Sequence, residues 1–298
     1  MTKYIVLPST GRETDAPVFA TALAVARRFG SHLVFLHVRP DVRQEIAALA
    51  ASEVGAVSGI GDTMERMEQD ADKREHLAER LWRELCRREQ IAVRDTPPVA
   101  SALADGPLAD RISAEWVGEV GIDAAWVAEY GRAADLVVAG RAGSGGGIAL
   151  DVLEAALMDT GRPVLIAPPA APASVGRIVT IAWKDTREAA VAVSAALPFI
   201  DKAERVIVLT IDEDEEPDDR SSERLQRALS WRTSNVLMHR LLRGRGSAVE
   251  ALLTAATRAE SDLLVMGGYG HTRLREAMFG GFTRHVLERA ELPVLIAH

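Results

Sequence analysis

The sequence predicts an α/β fold built twice, two repeated Rossmann-like domains that are each a five-stranded parallel sheet flanked by helices. Three observations carry this. Segments recur in the same order in two halves of the 298-residue chain: Asp135-Leu-Val-Val-Ala-Gly140 returns as Asp262-Leu-Leu-Val-Met-Gly267, and Arg162-Pro-Val-Leu-Ile-Ala-Pro168 as Leu292-Pro-Val-Leu-Ile-Ala-His298. The apolar runs are short and continuous rather than alternating, which marks strands buried on both faces. They also alternate with stretches of helical periodicity, the order of a parallel sheet covered by helices.

In the first half, strands are expected at 5–8, 33–38, 114–117, 136–140 and 164–167. A long amphipathic helix is expected over 62–90, with Met64, Met67, Ala71, Ala78, Leu81 and Leu85 on one stripe and dense charge opposite. That stripe serves either a partner or the helix's own sheet. The segment Pro168-Pro-Ala-Ala-Pro-Ala-Ser-Val-Gly176 then reads as a linker. The domains are accordingly 1–168 and 177–298, joined by 169–176. In the second half, Arg177-Ile-Val-Thr-Ile matches Tyr4-Ile-Val-Leu-Pro and opens a strand at 178–183. Helix 186–197 follows, with Ala189, Ala190, Val193 and Leu197 at helical spacing. Further strands are expected at 205–211, 236–242, 262–267 and 293–297, and helices at 221–232, 247–259 and 274–290. The matching last strands, 164–167 and 294–297, are expected to pair across a pseudo-twofold axis, because a free sheet edge needs covering.

Composition narrows the function classes. Apolar residues are 48% and charged residues 26%, ordinary globular material. A net charge of −8 argues against a nucleic-acid backbone or an anionic membrane as partner. No apolar stretch reaches the length of a membrane span, so a cytoplasmic protein is expected. A single cysteine, Cys86, excludes a disulfide framework or a cysteine-bound cluster. Arg87 and Arg88 beside it would lower its pKa if the thiol were accessible, whereas packing would make it inert. The seven histidines form no HExxH or paired metal spacing, and there is no G-x-S-x-G elbow or Walker P-loop. His37, inside an apolar strand, reads as a core residue.

The chemistry centres on Met266-Gly267-Gly268-Tyr269-Gly270-His271-Thr272, with Gly280-Gly281-Phe282-Thr283 downstream. Gly267 ends a parallel strand, where open α/β sheets bind ligands. Glycines there either let N–H groups approach an anion or satisfy a tight packing contact. Gly280 and Gly281 are costly inside a helix and suit a helix that begins there, its free N–H groups facing a phosphate. His271, Arg273, Arg275, Arg284 and His285 cluster nearby, either against phosphate or solvated.

Gly267-x2-Gly270-x9-Gly280, set between Asp-Leu-Leu-Val-Met-Gly and Leu-Pro-Val-Leu-Ile, resembles the nucleotide-binding signature of the universal stress protein family, and the whole chain resembles its tandem form. The resemblance is weakest across 40–111. It implies ATP or AMP as ligand, with Mg2+ accompanying ATP. It places Gly267, Gly270 and Gly280 along the phosphates, Thr283 as a hydroxyl contact and Ile211 against adenine. It also implies an internal pseudo-dimer of the two halves, with the same strand open to homodimer formation. Two positions depart from the family pattern. Gly281 stands where Ser or Thr is usual, and Lys184 stands near the usual aspartate at the end of the first strand, where a lysine would meet phosphate. The acidic run 212–219 lies close to this mouth and would be solvated, repel a nucleotide or recruit a cation. In the first half, Leu150 and Asp151 replace Gly280 and Gly281, so one nucleotide site, in the second half, is expected. The functions that follow are a nucleotide-binding stress-response or signalling protein, a nucleotide-free scaffold of the same fold, or a weak ATPase for which no catalytic base is identifiable.

Overall fold

The computed structural model of the chain describes residues 2–51, 60–96, 112–142, 147–212, 220–242, 247–268 and 281–298. The first half runs β1 (Tyr4–Pro8), α1 (Asp15–Phe29), β2 (His32–Arg39), α2 (Val42–Ala51), α3 (Ile60–Arg88), β3 (Ala92–Val93), β4 (Ser113–Val120), α4 (Asp123–Ala133), β5 (Leu136–Ala139), α5 (Leu150–Met158) and β6 (Val164–Ile166). The second runs β7 (Ile178–Ala182), α6 (Arg187–Ile200), β8 (Arg205–Asp212), α7 (Arg220–Leu229), β9 (Val236–Leu242), α8 (Ala248–Arg258), β10 (Leu263–Gly267), α9 (Gly281–Arg289) and β11 (Val294–Ala297). Among the described residues no helix is long and apolar enough to cross a membrane.

The strands join into one 11-stranded sheet in the order β3-β4-β2-β1-β5-β6-β11-β10-β7-β8-β9. Every pairing within a half is parallel, and the expected pair of end strands closes the seam: β6 and β11 run antiparallel, with Val164 opposite Ile296, Leu165 opposite Leu295 and Ile166 opposite Val294. The register is symmetric, so the pseudo-twofold axis passes between Leu165 and Leu295, both fully buried. On each face the core crosses the seam. One face gathers α1, α3, α6 and α7, and the other α4, α5, α8 and α9. The C-terminal ends of α1 and α6 meet there: Phe29 and Phe199 pack edge to face with centroids 5.0 Å apart. Lys202 Nζ donates to the Arg28 carbonyl at 2.7 Å, and the Arg28 guanidinium donates to the carbonyl of Gly176, the last linker residue, at 2.8 Å. Arg141 similarly reaches from the first half to the Glu288 carbonyl of α9 at 3.1 Å.

The structure adds three details to the expected layout. The first half carries a sixth, two-residue strand, β3, and a helix, α2, both inside the stretch without a counterpart in the second half. The stripe of α3 packs on its own half: Ala71, Ala78, Trp82, Leu85 and Cys86 are buried, and Trp82 lies against Phe35 of β2. The alignment of the first strands moves by one residue. Ile5 pairs with Leu136, whereas the equivalent Leu263 pairs with Val179, so Ile5 corresponds to Val179 and not to Ile178.

That corrected register explains the repeated aspartates. Asp135 accepts from the backbone N–H groups of Lys3 and Tyr4 at 2.7 and 3.1 Å. Asp262 does the same for Arg177 and Ile178 at 3.0 and 2.8 Å. Each carboxylate thus ties the start of its half's central strand, taking up the N–H of the strand's first residue and of the residue before it.

Candidate functional site

In the second half the carboxyl ends of β7, β8 and β10 form one mouth, as expected for a parallel sheet. After β7, Trp183 is held by its N–H on the Leu209 carbonyl at 2.8 Å and its indole Nε1 on Ser221 Oγ at 3.2 Å. The chain then turns tightly, with Thr186 N donating to the Lys184 carbonyl at 2.7 Å. Thr186 Oγ1 caps α6 by accepting from Ala189 N at 3.3 Å. This leaves Lys184 exposed at the mouth, beside Asp185, whose carboxylate lies 3.5 Å from Arg224. Ile211, one residue before the end of β8, is half-buried and packs on the α8–α9 side of the sheet.

Gly267 ends β10 under the first turn of α6. A Cβ there would stand 2.5 Å from Ala189 N and 2.7 Å from the Glu188 carbonyl carbon, both backbone atoms. The packing requirement for a glycine is therefore met at this position whatever else it does. Gly281 is different: a Cβ would meet no atom of the described residues within 4 Å, and the residue is exposed as the first of α9. Thr283, in the same turn, is buried. Gly270 and Gly280 lie outside the described residues, as do His271, Arg273, Arg275 and the acidic run beyond Asp212. Arg284 and His285 are exposed, and Arg284 is engaged by Glu288 at 2.7 Å, one turn along α9. Of the expected site residues, the mouth thus brings together Lys184, Ile211 and Gly267, with Gly281 and Thr283 on the helix that follows β10.

The first-half mouth is built oppositely. Asp15, the first residue of α1, is buried and fills the turn after β1 with its own carboxylate. It accepts from Thr10 N at 3.1 Å, Gly11 N at 2.9 Å, Thr10 Oγ1 at 2.8 Å and Ser9 Oγ at 3.2 Å. Burial lifts its carboxyl above the ordinary range, and these four hydrogen bonds pull it back. The turn is an anion nest occupied from within, a feature whose sequence signal was Ser-Thr-Gly ahead of an aspartate that opens a helix. Asp123 and Asp151 sit likewise in the first turns of α4 and α5, where negative charge complements the helix dipole. The first turn of α9 carries no acidic residue.

Cys86 resolves towards packing. It is buried on α3, and burial pushes its thiol up to about 11. The folded protein is therefore expected to resist thiol-disulfide reagents at pH 8, where the group stays protonated and covered, and to react stoichiometrically once unfolded in denaturant. Rapid labelling of the native chain would contradict this. Among the described residues no group of three or more histidine, cysteine or acidic side chains is placed to hold a metal ion.

Comparison with known proteins fits this architecture. Residues 177–298 match the model of the Universal stress protein family. Among solved structures, a universal stress protein from Archaeoglobus fulgidus DSM 4304 superposes with a TM-score of 0.64 at 16% identity, covering 99% of this chain and 95% of that one. A functionally unknown protein from Pseudomonas aeruginosa PAO1 superposes at 0.53 and 14% identity, covering 99% and 92%. No curated protein matches the chain. Residues 177–298 thus match the Universal stress protein family, and the chain shares its fold with these solved structures over nearly its whole length, an arrangement consistent with a tandem form.

Proposed function

We propose that the chain is a nucleotide-binding signalling protein of two domains, 1–168 and 177–298 joined by 169–176, which takes ATP or AMP at a single site in the second domain. One contrast supports this reading above the others. The helix after β10 enters with an open glycine and no carboxylate in its first turn, whereas its first-half counterpart begins Leu150-Asp151. An uncompensated helix N-terminus facing a strand end favours a phosphate, and a carboxylate there repels one. Gly267, Gly270 and Gly280 would flank the phosphates, Thr283 would add its hydroxyl, Ile211 would face adenine and Lys184 would supply positive charge. Mg2+ would accompany ATP on the phosphate side.

Calorimetric titration with ATP and AMP tests the reading, with one molecule bound per chain expected. Gly280→Leu should abolish binding by blocking the helix N-terminus. Gly281→Ser fits the open position and adds a donor to phosphate, which at about 1 kcal/mol should tighten binding roughly fivefold. Two molecules per chain, or full affinity in Gly280→Leu, would refute a single second-domain site. The nucleotide-free scaffold is the second reading, favoured by the packing of Gly267 beneath α6, which accounts for that glycine without a ligand. Absence of nucleotide binding in the unaltered chain would favour it.

A further inference from the structure

The mouth of the first half holds a cavity of about 690 Å3, bounded by the ends of β1 and β2 and by α3, α4 and α5. That volume is in the range of small-molecule sites. His37 forms part of its floor and is only 4% exposed. Its ring is stacked on Trp116, centroids 5.8 Å apart and planes 18° from parallel, which fixes its orientation. Its Nδ1 lies 2.8 Å from the Ser9 carbonyl, which can only accept, so Nδ1 carries the proton and Nε2 keeps its lone pair. Nε2 has no hydrogen-bond partner among the described residues, and the cavity is the space it adjoins.

The rim repeats the same polarity. Asp41, Asp70, Asp123 and Asp151 line it, against Arg12 and Arg74. Asp41 Oδ1 is used by the N–H groups of Arg43 and Gln44 at 3.1 Å each, and Asp151 Oδ1 by that of Val152 at 2.9 Å. A carboxylate offers about four lone-pair sites, so each retains acceptor capacity. Arg74 Nε already donates to the Asp70 carbonyl at 3.3 Å. The backbone donors an anion would use, Thr10 N and Gly11 N, are taken by Asp15. The mouth thus offers acceptors on floor and rim, with the guanidinium groups of Arg12 and Arg74 as its cationic counterweight.

We propose that the first-half cavity binds an organic cation, an alkyl ammonium or guanidinium, whose N–H groups donate to His37 Nε2 and to the carboxylates of Asp123 and Asp151. The tandem protein then carries two different ligands, a cation at one mouth and an anion at the other. The carboxyl of Asp123 is raised by burial, with Asp151 adding to this, while Arg74 and, when protonated, His37 act the other way; Asp123 remains exposed, so solvent screens part of that. A bound cation relieves the mutual repulsion of the two aspartates.

The test is calorimetric titration of the full chain with agmatine and with spermidine, in parallel with ATP. One bound cation per chain is expected. Asp123→Asn and Asp151→Asn, both at exposed positions, should each weaken it at least tenfold, with thermal unfolding lowered only by the small loss of a helix-dipole contact and ATP affinity unchanged. His37→Gln should weaken agmatine similarly, and the two aspartate variants keep the test decisive if that buried substitution fails to fold. Absence of binding by either cation up to millimolar concentration would overturn the proposal. So would undiminished cation binding in an Asp123→Asn/Asp151→Asn double variant, or one-for-one displacement of the cation by ATP.

Discussion

Phe199→Ala is expected to lower the unfolding free energy by about 3–5 kcal/mol, the range for truncating a buried phenylalanine whose surroundings cannot collapse. Phe199 is 1% exposed and meets Phe29 edge to face at 5.0 Å and 88°. Its other side is closed by the backbone of Gly176, where even a Cβ would come within 2.7 Å of the ring. Phe29 is itself overlain by Lys202 Nζ, 4.9 Å from its centroid. The cavity would open where the two halves and the linker meet, so it weakens their docking as well as the core of one half. Differential scanning calorimetry should show the midpoint falling by about 10 °C, taking a few degrees per kcal/mol for a chain of this size. A loss below about 1 kcal/mol would show that this contact is peripheral to the fold.

Gly267→Ala should cost about 1–3 kcal/mol, and Gly267→Val more, because the added carbons run into main chain that no rotamer change can move aside. The atoms in the way are Ala189 N and the Glu188 carbonyl carbon, 2.5 and 2.7 Å from the new Cβ. Relief requires α6 to withdraw, and with it the Thr186 cap and the Lys184 turn. The loss should therefore already appear without nucleotide in chemical denaturation, and be larger with it, since the Lys184 turn moves with α6. Gly267→Ala with unaltered stability and weakened ATP binding would instead assign the glycine to the ligand alone.

The strands were legible because their apolar runs are buried on both faces and recur in order. The same property hid their register. A run buried on both faces has no alternation, so sliding Tyr4-Ile-Val-Leu one residue along Arg177-Ile-Val-Thr leaves the hydrophobic signal intact. The pairings of Ile5 and Val179 with their central strands decide it. β3 and α2 lie in the stretch without a repeat partner and were not read. The aspartates Asp135 and Asp262 stood out as part of the repeat, but their task is non-local: Asp135 holds Tyr4 from 131 positions away. At the site, Gly267 offered two meanings from its neighbours in sequence, and only the approach of α6 shows that packing is one of them. Ser-Thr-Gly ahead of Asp15 is visible in the sequence, but that the carboxylate fills its own anion nest depends on how the turn after β1 folds back over α1.

The antiparallel seam makes the order of the halves along the chain a matter of indifference to the sheet. Because β6 and β11 run opposite ways, the exit of β6 lies on the same side as the entry of β7, three strand positions away. At ordinary strand spacing that is about 14 Å, which the segment from 167 to 177 spans easily. The exit of β11 bears the same relation to the entry of β1, again three positions away. A chain closed there by a connection of the linker's length, and opened within 169–176, would be a circular permutant with every strand neighbour retained. Which half is synthesised first is thus separable from how the two halves pair, and the topology would accept either order.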